Sequence, residues 1–117
     1  MDNGRKHAIL EVGGKIYNLR LSYNTMVIFE DNIGPIQNHL GAGGKTVIGC
    51  RGIIWSGINE YGSQEITLTE AGDICEQYID EHGFDGLAKK MQEFLKIAGW
   101  IRESDTSKNP KAPAKKV

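Results

Sequence analysis

Apolar and polar residues alternate in two short runs on either side of Gly13-Gly14. Alternation with a period of two is typical of β-strands that bury one face, and a Gly-Gly pair supplies the positive φ angles of a two-residue hairpin turn. The sequence therefore predicts an antiparallel hairpin whose register is set by these two glycines. The expected cross-strand pairs are Val12–Lys15, Leu10–Tyr17, Ala8–Leu19 and Lys6–Leu21.

This register gives the hairpin one almost entirely apolar face and one mixed face. We expect the apolar face, which includes Leu10, Val12, Tyr17 and Leu19, to lie in the core. The mixed face is expected to be solvated or only partly covered. It consists of His7, Ile9, Glu11, Ile16, Asn18 and Arg20.

A helix is predicted directly after the hairpin. Ser22 stands where a hydroxyl can accept a hydrogen bond from a helix N–H, and Gly34-Pro35 ends the segment. The expected core-facing stripe consists of Tyr23, Met26, Val27, Glu30 and Ile33.

The middle of the chain predicts one turn of helix at Ile36 to Leu40, a glycine-rich loop and a second long helix from Thr46 to Tyr61. Thr46 is the expected N-cap. The main apolar stripe consists of Val47, Cys50, Ile54, Ile58 and Tyr61, and its flanks hold Ile48, Ile53 and Trp55. Gly49, Gly52 and Gly57 indicate either close helix packing or a break near Gly52 or Gly57.

Two more helices are expected before the C-terminal segment. Either Thr67 or Thr69 could cap the first helix, and Thr67 with Glu70 has the spacing of a capping box. Gly83 stops this helix, and the second runs from Asp85 or Gly86 to about Gly99–Arg102. The predicted buried stripes are Ala71, Ile74, Cys75, Tyr78 and Ile79 in the first helix, and Leu87, Met91, Phe94, Leu95 and Ala98 in the second.

These patterns predict an α+β fold, an antiparallel hairpin packed on about four helices, with a further short strand left open. A chain of 117 residues is enough for one domain. The expected division is a flexible N-terminus at 1–6, the domain at 7–102 and a disordered tail at 103–117. The tail is locally basic through Lys108, Lys111, Lys115 and Lys116.

The hairpin, the helix with Phe29-Glu30, the segment Ile54-Trp55-Ser56-Gly57 and the segment from Leu68 to Ile74 together resemble the tail assembly chaperones of tailed bacteriophages. The branch concerned also includes a small tail-cluster protein of gene transfer agents. The resemblance extends from about Ile9 to Ala98. It implies a non-enzymatic protein that keeps the helical tape measure protein soluble, with the tail tube protein as a second partner. Alternatives are a structural tail protein and a small bacterial adaptor domain.

Composition excludes few further classes. The formal net charge of −1 gives no overall field that would favour nucleic acid. The sequence shows neither a signal peptide pattern nor an apolar run of about 18 residues, so we expect no membrane association and a cytoplasmic location in a bacterial host.

Gly44-Lys45-Thr46 copies the end of a phosphate-binding loop. The motif requires a glycine five residues before Gly44, where this chain has His39, and a buried strand before the loop. The expected function of this segment is a loop in which Thr46 caps the following helix, and no nucleotide or other cofactor is expected.

No catalytic or metal centre is expected. Cys50 and Cys75 are far apart in sequence and are predicted to be buried or half-buried thiols, with a disulfide between them as the alternative. His7, His39 and His82 do not have ligand spacing with them. The acidic cluster Asp80, Glu81, His82 and Asp85 is interrupted by Gly83 and is interpreted as a solvated helix end.

The middle helix is the predicted partner surface because it has more apolar faces than one core contact can use. The candidate residues are Ile53, Ile54, Trp55 and Ile58, with Trp100 as a further candidate. The alternative is that Trp55 belongs to the core beneath the hairpin. A small protein with such a surface is expected to form a homo-oligomer.

Overall fold

The computed structural model describes residues 6–41 and 46–101. Within them, an antiparallel hairpin packs on four helices, which confirms the α+β class. The sheet in these residues has two strands, so they contain no further short strand. The elements are β1 (His7–Val12), β2 (Lys15–Arg20), α1 (Tyr23–Asn32), α2 (Ile36–Leu40), α3 (Val47–Tyr61) and α4 (Leu68–Ala98).

The hairpin has the predicted register, with Leu10 opposite Tyr17 and Ala8 opposite Leu19. Gly13 and Gly14 form the turn at positive φ, as the sequence predicts. Beyond the last ladder pair, the Leu21 N–H donates to the Lys6 carbonyl at 2.7 Å. Leu10 and Leu19 are completely buried on the apolar face, whereas Tyr17 lies half-buried at its edge.

Helix α1 starts at the predicted cap but turns a different face to the core. Ser22 Oγ accepts from Thr25 N–H, and Thr25 Oγ1 also donates to the Arg20 carbonyl at 2.6 Å. That bond holds Thr25 against the end of β2, so Phe29, one turn later, enters the core. The predicted stripe is therefore wrong for Tyr23 and Val27, which are 75% and 42% exposed, and for Glu30, which is exposed as well.

Helix α3 is continuous, and its glycines are sites of close packing. A β-carbon on Gly52 would lie 2.6 Å from Phe29 Cε2, and one on Gly49 would lie 2.7 Å from the His39 carbonyl oxygen. Because these glycines set which side of α3 faces inward, the predicted stripe is wrong at its two ends. Val47 and Tyr61 are exposed.

Helix α4 begins with the predicted capping box of Thr67 and Glu70. Gly83 is the single non-helical residue inside it, with φ 80° and ψ 165°. The predicted stop is therefore a kink between two arms, residues 68–82 and 84–98, and the second arm starts just before the expected Asp85. The helix ends at left-handed Gly99, where the Trp100 N–H donates to the Leu95 carbonyl at 3.1 Å.

The core lies between the apolar face of the hairpin, α1, α3 and both arms of α4. The second arm returns to the start of the domain, where the Lys6 ammonium donates to the Ala98 carbonyl. That carbonyl is among the last of the helix, which lack partners inside it, and a cation there also complements the helix dipole. The predicted basic tail at 103–117 lies outside the described residues.

Candidate functional site

Three of the predicted partner residues belong to the core. Ile53, Ile54 and Ile58 are each at most 1% exposed. Helix α3 packs against the hairpin, α1, α2 and α4, so its apolar faces are used within the domain. The prediction that these three isoleucines form a partner surface is corrected accordingly, since a partner cannot reach them in this fold.

The two tryptophans are placed differently. Trp55 and Trp100 are half-buried and pack against the edge of the core. Each residue is partly exposed, so a role in partner binding stays a prediction for both. Neither lines the groove described next.

An open apolar groove runs between α3 and residues 68–82 of α4. Its volume is about 300 Å³. Val47 and Ile48 form the α3 edge and are 62% and 45% exposed, although both are apolar. Gly72 has no side chain and thereby leaves the groove open. The lining residues are Val47, Ile48, Arg51, Gly72, Cys75, Glu76, Ile79 and Asp80.

Sequence reasoning missed this groove because it assigned Val47 to the core stripe. The signal that could have revealed it is the spacing of glycines in α3. Gly49 and Gly52 mark the side that contacts α1 and α2, so apolar residues on another side of the same helix need a different neighbour. On that side the neighbour is α4, and at the start of α3 it leaves Val47 and Ile48 largely exposed.

Arg51 is the polar residue in the α3 wall of the groove. Its stem lies over α4, where a β-carbon on Gly72 would be 3.5 Å from Arg51 Cδ. Its Nε atom is buried and has no hydrogen-bond partner. A buried donor without an acceptor is unfavourable, by roughly 1–3 kcal/mol. Across the groove, the carboxylates of Glu76 and Asp80 are on exposed residues one turn apart on α4.

The floor of the groove includes Cys75. Both cysteines are buried, as the sequence predicts, and they are not joined by a disulfide. Burial, and secondarily the nearby Cys50, raises the pKa of the Cys75 thiol from 9.0 to about 12, against the opposing effect of Arg51. Cys75 is therefore a neutral, unreactive thiol at physiological pH and contributes apolar surface to the groove.

A second, more polar cavity of about 460 Å³ lies between the hairpin turn and the kink of α4. Glu81 there accepts a hydrogen bond from the Gly13 N–H at 2.8 Å. The rings of Tyr78 and His82 contact each other with centroids 4.4 Å apart. The bond from Gly13 to Glu81 attaches the turn to α4, whereas the contact of Tyr78 with His82 lies within α4. Residues 6–41 and 46–101 contain no cluster of three or more potential metal ligands.

The glycine-rich segment of the phosphate-loop interpretation falls on residues 42–45, outside the described residues. Thr46, which follows it, is the N-cap of α3, as predicted. Its Oγ1 accepts from the Gly49 N–H at 2.9 Å and lies 3.2 Å from His39 Nδ1. The hydroxyl that would hold magnesium in a nucleotide site is thus used in capping the helix.

Comparison with known proteins adds no relative: no family model, curated protein or solved structure matches the chain. None of the helices in the described part of the chain is both long and apolar enough to span a membrane. Among the described residues, the groove between α3 and α4 is the apolar surface that remains open to a partner.

Proposed function

We propose that this protein is a non-enzymatic tail assembly chaperone of a phage or prophage, acting in the cytoplasm of the bacterial host. It holds the tape measure protein soluble while tail tube subunits assemble around it. The observation that carries the proposal is the open apolar groove between α3 and α4. The resemblance of residues 9–98 to this family supplies the identity of the client.

A chaperone for a long helical client needs apolar surface that remains accessible when the chaperone itself is folded. Val47 and Ile48 meet that requirement, since they are exposed at the beginning of α3 while the isoleucines in the middle of the helix are buried. A tail tube partner and self-association belong to the same proposal. Sedimentation of the purified protein measures the self-association directly.

The test is co-expression with the tape measure protein encoded in the same tail gene cluster. We expect the wild-type chain to increase the soluble fraction of the tape measure protein, and Val47→Asp to remove that effect. Ile16→Asp is the matched control, because Ile16 on the hairpin is 61% exposed and Val47 is 62% exposed. An equally insoluble tape measure protein with and without the wild-type chain would show that the proposed function is wrong.

The alternative role, a structural tail protein, is distinguished by the composition of finished particles. A chaperone leaves when the tail is complete, so mass spectrometry of purified virions should detect the tail tube and not this chain. Stoichiometric amounts of the chain in the particle would favour the structural role.

A further inference from the structure

We infer that the groove between α3 and α4 binds an amphipathic helix of the client and that a carboxylate of this helix pairs with Arg51. The inference rests on the proposed function only for the identity of the natural client. The recognition itself follows from the shape and charges of the groove.

The shape of the groove suits a helix. Its α4 wall consists of residues at relative positions 1, 4, 5, 8 and 9, namely Gly72, Cys75, Glu76, Ile79 and Asp80. At 1.5 Å per residue this wall is about 12 Å long, or roughly two helical turns. A helix that presents apolar side chains at i, i+3 or i+4, and i+7 places successive anchors along such a groove.

The charge of the occupant is specified on the α3 side. Arg51 Nε is buried without an acceptor, although the Arg51 side chain lines an open groove. The part of Arg51 that an occupant can reach is the terminal end of its guanidinium group, since the side chain lines the groove and is only partly buried. The two terminal nitrogens can donate parallel hydrogen bonds to one carboxylate, so an acidic residue of the occupant would pair with this charge.

The α4 side specifies the opposite charge. Glu76 and Asp80 follow each other by one turn along the exposed rim. They disfavour a second acidic residue on that side and favour a lysine or arginine. The occupant is thus a helix with an apolar stripe, a carboxylate toward α3 and a basic residue toward α4.

The probes are two fluorescent synthetic helical peptides with the same leucine stripe. One carries glutamate beside the stripe, and the other carries glutamine at the same positions. Fluorescence anisotropy should show that the wild-type protein binds the glutamate peptide about tenfold or more tightly, as expected for a charge-assisted hydrogen bond. Equal binding of the two peptides, or binding of neither, overturns the inference.

Two variants separate recognition from folding. Arg51→Met keeps an unbranched stem over Gly72 and removes the buried donor, so its melting temperature should not fall while the preference for the glutamate peptide disappears. Gly72→Met places a side chain in the groove and should lower the affinity for both peptides by a similar factor. A preference that survives Arg51→Met contradicts the inference, as does unchanged binding of both peptides by a folded Gly72→Met.

The oligomeric state tests the competing occupant, a second copy of the chain. If Gly72→Met converts an oligomer to a monomer, the groove is a self-association site and the inference is wrong. The proposed function is judged separately by co-expression with the tape measure protein. If Gly72→Met still keeps the tape measure protein soluble, the proposed function is supported and the groove is not the binding site. If the protein prefers the glutamate peptide but does not solubilise the tape measure protein, the groove inference is supported and the proposed function is wrong.

Discussion

Gly57 of α3 contacts Leu19 of β2 so closely that a β-carbon on Gly57 would lie 2.8 Å from Leu19 Cδ2. Leu19 is fully buried and Gly57 is buried, and a real β-carbon essentially never approaches another atom at that distance. The backbone of the helix therefore rests directly on a side chain of the sheet. This contact fixes the spacing between the two layers of the domain.

We expect Gly57→Ala to lower the free energy of unfolding by about 1–3 kcal/mol, because the added methyl group must displace Leu19 or the helix. Gly72→Ala is the control, since its β-carbon would meet Arg51 Cδ at an ordinary 3.5 Å. Alanine should stabilise α4 at that position by up to about 1 kcal/mol. Urea denaturation of the two variants measures both effects, and equal changes would contradict the close contact.

Leu19→Ala should cost about 2–5 kcal/mol of unfolding free energy, as expected when a large buried side chain is truncated. Ile16→Ala changes a residue of the same strand on the exposed face and should stay within about 0.5 kcal/mol of the wild type. Thermal melting compares them. A melt of Leu19→Ala that matches that of Ile16→Ala would mean that the buried face has been assigned incorrectly.

The stability of the protein should fall at alkaline pH partly because of Cys75. Its folded-state pKa is raised from 9.0 to about 12, so between these values the folded state keeps a proton that the unfolded state releases. The contribution is complete below pH 9.0 and is lost as the pH rises toward 12. The stability difference between wild type and Cys75→Ala should therefore narrow over this range, as measured by urea denaturation at several pH values. A constant difference would show that Cys75 is not desolvated.

Nucleotides should not bind the segment around Gly44-Lys45-Thr46. The Thr46 hydroxyl is already used in capping α3, and the first glycine of the motif is replaced by His39. Millimolar ATP with magnesium is expected to leave the melting temperature unchanged. Saturable ATP binding that Lys45→Ala abolishes would overturn this prediction.

The parts of the fold that depend on local chemistry could be predicted from the sequence. Gly13-Gly14 sets the hairpin register, and Ser22, Thr46 and Thr67 start their helices through bonds within a few residues. The inward faces of helices were predicted less well. Helical spacing puts Tyr23 on the predicted stripe of α1, but Thr25 bonds the Arg20 carbonyl and the buried face of the helix is the one that carries Thr25 and Phe29.

The groove could not be predicted because it depends on how two distant helices meet. Val47 and Ile48 have the same apolar character as the buried residues of α3, and only the packing of Gly49 and Gly52 shows that they face elsewhere. The missing acceptor of Arg51 Nε is likewise a property of the folded domain. A sequence pattern records neither fact.

The hydrogen bond between Lys6 and Ala98 brings the two ends of the domain together across 92 positions of sequence. A short linker could therefore join residue 101 to residue 6 without crossing the fold, and new ends could be opened in the exposed connection between α3 and α4 at Ser63. Such a circular permutant should fold to the same arrangement of helices and hairpin. Folding of this domain would then depend less on the order of its elements along the chain than on the tertiary contacts that they form.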